Sequence, residues 1–416
     1  MTKKSASFLM VQLQDAIGDW IDVGYLINHD GKNWFEFTET YWDLPHRPIL
    51  GQIFEERGRE WKPSARTALP NWFSHLLPEG RLRQAVAQAA HFDRKYEFEL
   101  IKKLGETDLP GALRMFEVDG KEFKHPERGN DASDSNGKDP ILKFSLAGAQ
   151  LKFSVFKGEK GISVPVRGQA GNYILKLPDQ RIGFRGVPEA EFASLRFASQ
   201  CGIRAADVEF GLLGSVSGLE EWNSKFDQKR CLLVKRFDRV NSRQRIHMEE
   251  LAQIVNTPPN VEMAKYDRGN NETIAVLVEA LCGTEAVGEV IDRIVFNILI
   301  GNGDAHLKNW AVTYDVNNQP ELSPTYDVVP TVFYMKGDDL GLNLSRSKDF
   351  KSISLRNFHR IGRKTHFGEG EAENRANLMV ERVLDNWALL GEMMPGDIYN
   401  FLTVRLRELR IAEGFR

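Results

Sequence analysis

The chain has 416 residues, 42% of them hydrophobic and 25 of them Phe, enough to bury a sizeable core in about two or three domains. A formal net charge of -3 argues against a protein that coats nucleic acid through bulk charge, and Cys201, Cys231 and Cys282 lie too far apart in sequence to suggest a disulfide framework or a zinc site. A reduced, cytoplasmic setting follows, and no apolar run reaches about 18 residues, so no membrane span is expected and no signal-peptide core follows the first lysines.

Residues 7–50 alternate apolar and polar, with a turn signal at Asn28 to Lys32, and predict a small sheet. Leu69 to Glu79 follows, then helical patterns over Leu82 to Ala90 and Phe98 to Leu104. Residues 1–110 read as a compact α/β subdomain without a catalytic constellation of its own. Residues 125–140 are polar and rich in Gly, Asn, Asp and Ser; they read as an exposed linker, with a binding loop as the alternative.

Strand patterns resume at Ile141 to Ser145 and Leu151 to Phe156, joined by a tight turn through Ala147, Gly148, Ala149 and Gln150. Such a turn lets backbone amides approach a phosphate, although taken by itself it reads first as a plain strand-to-strand turn. Gly161 to Val166 and Tyr173 to Leu177 add two strands, Glu189 to Gln200 a helix, and Val208 to Leu213 and Cys231 to Arg236 two more strands. Lys176 lies in an apolar strand, where an ammonium must snorkel to solvent or meet a partner, and Glu191 on the following helix is a candidate. Strand, loop, lysine-bearing strand and glutamate-bearing helix follow in the order of a kinase N-lobe, 111–235. Lys235 and Phe237 then fall in the connection where kinases read adenine.

From 236 to 416 the pattern is mainly helical: Met248 to Val255, Thr273 to Leu281, Val287 to Ile300, Ala376 to Met394 and Pro395 to Ile411. After the third of these comes Gly301 to Trp310, in which Asp304, His306, Lys308 and Asn309 crowd into six residues. The Asp304-x-x-x-x-Asn309 spacing is that of a kinase catalytic loop, where the Asp takes the hydroxyl proton and the Asn holds a metal ion. Trp310 to Val316, a turn, and Glu321 to Ser323 form a hairpin pattern that leads to Asp327, a second hard oxygen ligand for magnesium. Lys308 would steady the transferring phosphoryl group, while His306 would order the loop or lie near the phosphates. The spacing alone is weak, since an Asp-x-His in a loop is more often structural and would also suit a transition metal. The hairpin and second Asp favour phosphoryl transfer.

With these residues in place the chain resembles the HipA family of bacterial serine/threonine kinase toxins. Leu76-Leu77-Pro78-Glu79, Ser145-Leu146-Ala147-Gly148-Ala149-Gln150-Leu151-Lys152, Ile174-Leu175-Lys176-Leu177-Pro178 and Arg236-Phe237-Asp238-Arg239 are similar to its motifs. So are the His247 to Glu250 segment with Gln253 and Lys265-Tyr266, Gly301 to Asn309, and Pro324 to Asp327. The resemblance implies an α+β, kinase-like two-lobed fold with an extra N-terminal subdomain. It implies ATP and Mg2+ between the lobes, with Lys152, Lys176, Glu191 and the 147–150 loop toward the nucleotide. Asp304 would be the base, Asn309 and Asp327 would hold metal, and Ser145 would be a self-phosphorylation site. It further implies a protein substrate, with aminoacyl-tRNA synthetases the family precedent, and a helix-turn-helix antitoxin of HipB type through which alone DNA is met. Lys235 departs from the glutamate of a well-studied member type, and Glu250 from a common aspartate. Two other readings stay open at this point: a small-molecule kinase of the aminoglycoside or choline type, and a co-repressor acting through its antitoxin.

Overall fold

The computed structural model describes residues 6–78, 83, 96–106, 108–120, 151–165, 170–179, 181, 183–226, 229–241, 243–259, 261 and 263–413. The expected helix over Leu82 to Ala90 (except Arg83), the polar stretch 125–140, the strand Ile141 to Ser145 and the turn Ala147 to Gln150 lie outside them.

Strands β1 (Ser7–Gln14), β2 (Trp20–His29), β3 (Lys32–Phe37), β4 (Ser64–Arg66) and β5 (Leu113–Val118) form one antiparallel sheet in the order β4-β3-β2-β1-β5. The β2–β3 connection is two residues long, and Asp30 (φ 49°) and Gly31 (φ 74°) both take the left-handed backbone that such a tight hairpin needs. The fifth strand lies past residue 110, so the sheet runs further along the chain than the expected subdomain. Helix α1 (Glu97–Leu104) packs on this sheet, burying Phe98, Leu100 and Ile101.

A second sheet has the order β10-β7-β6-β8-β11-β9, built from β6 (Lys152–Gly158), β7 (Gly161–Ser163), β8 (Tyr173–Lys176), β9 (Val208–Leu212), β10 (Val216–Ser217) and β11 (Arg230–Lys235). Helix α2 (Val187–Gln200) lies against it. The two sheets share one apolar core: Leu9, Phe35 and Trp72 belong to the same cluster as Phe153, Leu175 and Leu233. The N-terminal unit therefore cannot leave without exposing the N-lobe core to water.

The C-terminal half packs around α4 (Glu285–Ile300), preceded by α3 (Asn271–Cys282) and followed by α5 (Glu369–Asp385), α6 (Trp387–Met393) and α7 (Gly396–Leu406). The inner run of α4, from Val290 to Ile300, is buried on every side, and its polar members Asp292, Arg293 and Asn297 are met by Arg375, Ser323 and Asn302. Two expected helices differ. Met248 to Val255 is a strand, β12 (Met248–Glu250), followed by one helical turn (Leu251–Ile254), because Glu249 and its neighbours pair with β13 (Ala311–Tyr314). Ala376 to Met394 is divided at Asn386 into α5 and α6. The expected hairpin is present, with β14 (Pro320–Leu322) antiparallel to β13. The result is an α+β, two-lobed, kinase-like fold with an N-terminal unit bound to both lobes.

Candidate active site

Helix α4 ends at Gly301, whose backbone is left-handed (φ 75°) and returns its N–H to the Asn297 carbonyl. A Cβ there would overlap Val332. The chain thus turns sharply out of the buried helix α4 into the segment 302–309. Arg405, from α7, donates to the carbonyls of Ile298 and Leu299 at 3.1 Å each and so caps the same helix end.

The loop that follows is closed on itself. The Asp304 carbonyl accepts from His306 N at 2.8 Å and from Asn309 Nδ2 at 2.6 Å, and Asn302 Oδ1 accepts from Asp304 N at 3.2 Å. Gly303 N donates to Thr331 Oγ1 at 2.6 Å. The Asp304 carboxylate itself projects outward, half exposed. Its Oδ1 accepts from the Tyr266 hydroxyl at 2.5 Å and lies 3.6 Å from His306 Nε2. Lys308 is buried, with its ammonium 3.5 Å from Glu250 on β12.

Asp327 arrives from the opposite side of the hairpin. The strand before it is pinned by Arg293, which donates to Ser323 O at 2.6 Å, and by the 204–206 segment, where Thr325 N donates to Arg204 O. Tyr326 donates to the Lys308 carbonyl at 2.9 Å and so joins the two segments. Asp327 has φ 54°, a conformation that non-glycine residues avoid and that clusters at functional sites.

Lys152 on β6 and Lys176 on β8 are register partners across the N-lobe sheet. Lys152 donates to Asp327 Oδ2 at 3.1 Å, and Lys176 to Asp327 Oδ1 and to Glu191 Oε1, the latter at 2.5 Å. Burial favours the neutral acid at Asp327, but the two ammonium groups outweigh it and hold this carboxyl well below the usual range. Burial likewise opposes the charge on Lys176, yet Asp327 and Glu191 raise it above an ordinary lysine. Asp327 and Lys176 are therefore held as an ion pair, whereas burial raises the Glu191 carboxyl against the pull of Lys176.

Lys152, Lys176, Glu191, Lys235, Phe237, Asp304, His306, Lys308, Asn309 and Asp327 all line one cleft of about 640 Å³. Ser145, Ala147, Gly148, Ala149 and Gln150 lie outside the described residues. Lys235 is largely exposed, 3.7 Å from Asp207, and Phe237 packs on Tyr326 at 5.7 Å between ring centres. Three features of the site carried no role in the sequence: Tyr266 on Asp304, Glu250 on Lys308, and the pairing of Lys152 with Asp327. Their partners lie 38, 58 and 175 positions away, so only the folded chain joins them.

Arg236, Asp238 and Arg239 do something else. Asp108 accepts from Arg236 at 2.6 Å and from Arg239 at 3.1 Å, and Asp238 accepts from both at 2.7 Å. Gly111 N also donates to Asp238, at 2.8 Å. This buried quartet joins the N-terminal unit to the connection between the lobes. A second junction is Glu249, buried on β12, which accepts from Trp72 Nε1 at 2.7 Å, from Gln52 N at 2.9 Å and from the Tyr314 hydroxyl.

The donor chemistry fits a magnesium ion. Asp327 offers a carboxylate and Asn309 an amide, both hard oxygen ligands, and Asn309 commits its amide nitrogen to the Asp304 carbonyl, so its oxygen is the atom left for a cation. Among the described residues no group of three or more His, Cys, Asp and Glu forms a metal cage. A magnesium ion here would complete its shell with water and phosphate oxygens, its usual habit. No described helix is long and apolar enough to cross a membrane.

The family model described as the HipA-like C-terminal domain matches residues 144–387, and that described as the HipA N-terminal domain matches residues 16–116. The chain is 35% identical over 380 residues to the putative kinase Y4dM of Sinorhizobium fredii, covering 88% of each protein. It is 22% identical over 289 residues, 62% of each protein, to the serine/threonine-protein kinase toxin HipA of Shewanella oneidensis. The solved complex of Shewanella oneidensis MR-1 HipA, HipB and operator DNA superposes with a TM-score of 0.71 at 20% identity, covering 97% of this chain and 96% of that one. At that identity the match shows a shared fold.

Proposed function

The chain belongs to the HipA family, and from that premise we propose that it is a kinase that transfers the γ-phosphate of ATP to a serine or threonine hydroxyl of a protein. The observation that carries this reading is the convergence of Asp304, Asn309, Asp327 and the Lys176–Glu191 pair on one cleft. Phosphoryl transfer asks for positioning and charge neutralisation, and these groups supply both.

ATP lies in the cleft with its base toward Lys235 and Phe237 and its phosphates toward Lys152 and Lys176. Glu191 holds Lys176 in place. Asn309 and Asp327 would hold Mg2+, which neutralises phosphate charge when bound. Asp304 takes the proton of the acceptor hydroxyl as its oxygen attacks the γ-phosphorus, and ADP leaves. Lys308, its charge shared with Glu250, steadies the transferring group, and His306 orders the loop.

The finer reading follows family precedent: Ser145 as a self-phosphorylation site, an aminoacyl-tRNA synthetase as target with arrest of translation and growth as outcome, and a HipB-type antitoxin as partner. The superposed toxin was solved with HipB and DNA, which supports the last of these. Incubation of the full chain with Mg2+ and γ-labelled ATP tests the proposal. Label on Ser145 or on a protein in a lysate is expected, and none with Asp304→Asn. ATP consumed with no protein labelled, or label unaffected by the substitution, overturns it.

A further inference from the structure

Tyr266 belongs to a short helical segment, Ala264–Asp267, that lies apart in sequence from every group assigned above. Its hydroxyl is 2.5 Å from Asp304 Oδ1, its ring meets the edge of His306 at 5.1 Å, and both it and Lys265 line the cleft. His306 Nε2 stands on the same carboxylate oxygen at 3.6 Å. No described residue donates to the other oxygen, Oδ2.

A carboxylate rotates easily about its terminal torsion, and its two oxygens are equivalent until something distinguishes them. Here the main chain of the loop is pinned from within, but the Asp304 side chain, half exposed, has no partner inside the loop other than His306. The Tyr266 hydroxyl is what fixes its direction. We propose that Tyr266 is a positioning residue for phosphoryl transfer. It engages Oδ1, orients the carboxylate, and leaves Oδ2 as the oxygen that takes the acceptor proton. The assignment rests on Asp304 being the base. It concerns the acceptor side of the reaction, so nucleotide binding does not depend on it.

The test is Tyr266→Phe in the full chain, which keeps the ring against His306 and removes only the hydroxyl. Single-turnover phosphoryl transfer is measured against ATP concentration, with thermal unfolding recorded alongside. The expected result is a maximal rate lower by about ten- to a hundredfold, the size of one lost hydrogen bond to a charged group, with half-saturating ATP and the melting temperature unchanged. An unaltered maximal rate overturns the proposal, as does a loss matched by a fall in melting temperature. Phosphate found on Tyr266 in the wild-type chain also overturns it, since the residue would then be an acceptor. If the wild-type chain transfers no phosphate at all, the kinase assignment fails instead, and the two failures are distinct.

Discussion

Lys152 and Lys176 face each other across adjacent strands and close on the two oxygens of a single carboxylate, Asp327. The N-lobe thereby grips the residue we assign to the metal. A magnesium ion and a triphosphate together would re-divide these charges, with cation taking Asp327 and phosphates taking the lysines.

Asp327→Asn should therefore lower stability as well as remove activity, because it leaves two largely buried ammonium groups sharing one carboxylate, Glu191. A loss of roughly 2–4 kcal/mol near neutral pH is expected. Because the folded-state carboxyl is held low, its contribution is present above the unfolded carboxylate range and is lost as pH falls. Urea denaturation should show the gap between wild type and variant constant near pH 7 and narrowing only below about pH 4. A gap that closes above pH 5 would refute the account.

Glu249 predicts a trend of the opposite sign. Burial raises its carboxyl to about 7 against the hydrogen bonds from Trp72, Tyr314 and Gln52. A raised acid stabilises the fold most below its unfolded value, and that contribution fades as pH rises through about 7. His247, two residues before it, is lowered by burial to about 4, so it destabilises the fold as pH falls below the ordinary histidine range. The two effects oppose each other between about pH 4.5 and 6.5, and Glu249 alone acts above that. Thermal unfolding should show the wild type losing stability from pH 6.5 to 8, with Glu249→Gln flatter over that range. Equal slopes would contradict the assignment.

How far the sequence reaches is clear from these residues. Asp304, Asn309, Asp327, Lys176 and Glu191 were legible because each sits in a local pattern: a loop after an apolar helix, a hairpin, a strand followed by a helix. The same periodicity misread Met248 to Val255, because a three-residue strand carries too little alternation to tell from a helical face and only its ladder with β13 decides. Tyr266, Glu250 and Glu249 were quoted in a motif but had no role there. Their partners come from other elements, and no spacing within the chain encodes such contacts. In the Arg236-Phe237-Asp238-Arg239 segment only Phe237 was given a role, in the nucleotide connection. Two of its arginines in fact serve a buried ion network with Asp108.

That network gives a third prediction. Asp108→Asn leaves Arg236 and Arg239 buried with Asp238 as their only carboxylate among the described residues. A loss of about 3–5 kcal/mol is expected, since breaking a buried pair strands a charge. Limited proteolysis should cut the variant near residues 108–120, where the N-terminal unit joins the lobes, while the wild type resists. Equal resistance would argue against this junction.

Gly301→Ala should disturb the loop from its root. The left-handed backbone costs a side chain about 1–2 kcal/mol, and overlap with Val332 adds about 1–3 kcal/mol. The maximal rate of phosphoryl transfer should fall further than nucleotide affinity, because Asp304 moves while Lys176 and Phe237 do not. A change confined to affinity would show that the loop tolerates the shift.

The most direct test of the central claim measures binding and transfer on one preparation. ATP affinity in the presence of Mg2+ and single-turnover phosphate transfer are compared for the wild type and Asp304→Asn. The account predicts that both bind ATP with similar affinity, that the wild type transfers phosphate to protein, and that the variant is slower by at least about a hundredfold. Transfer by the variant at the wild-type rate would contradict the role of Asp304 and the active site built around it.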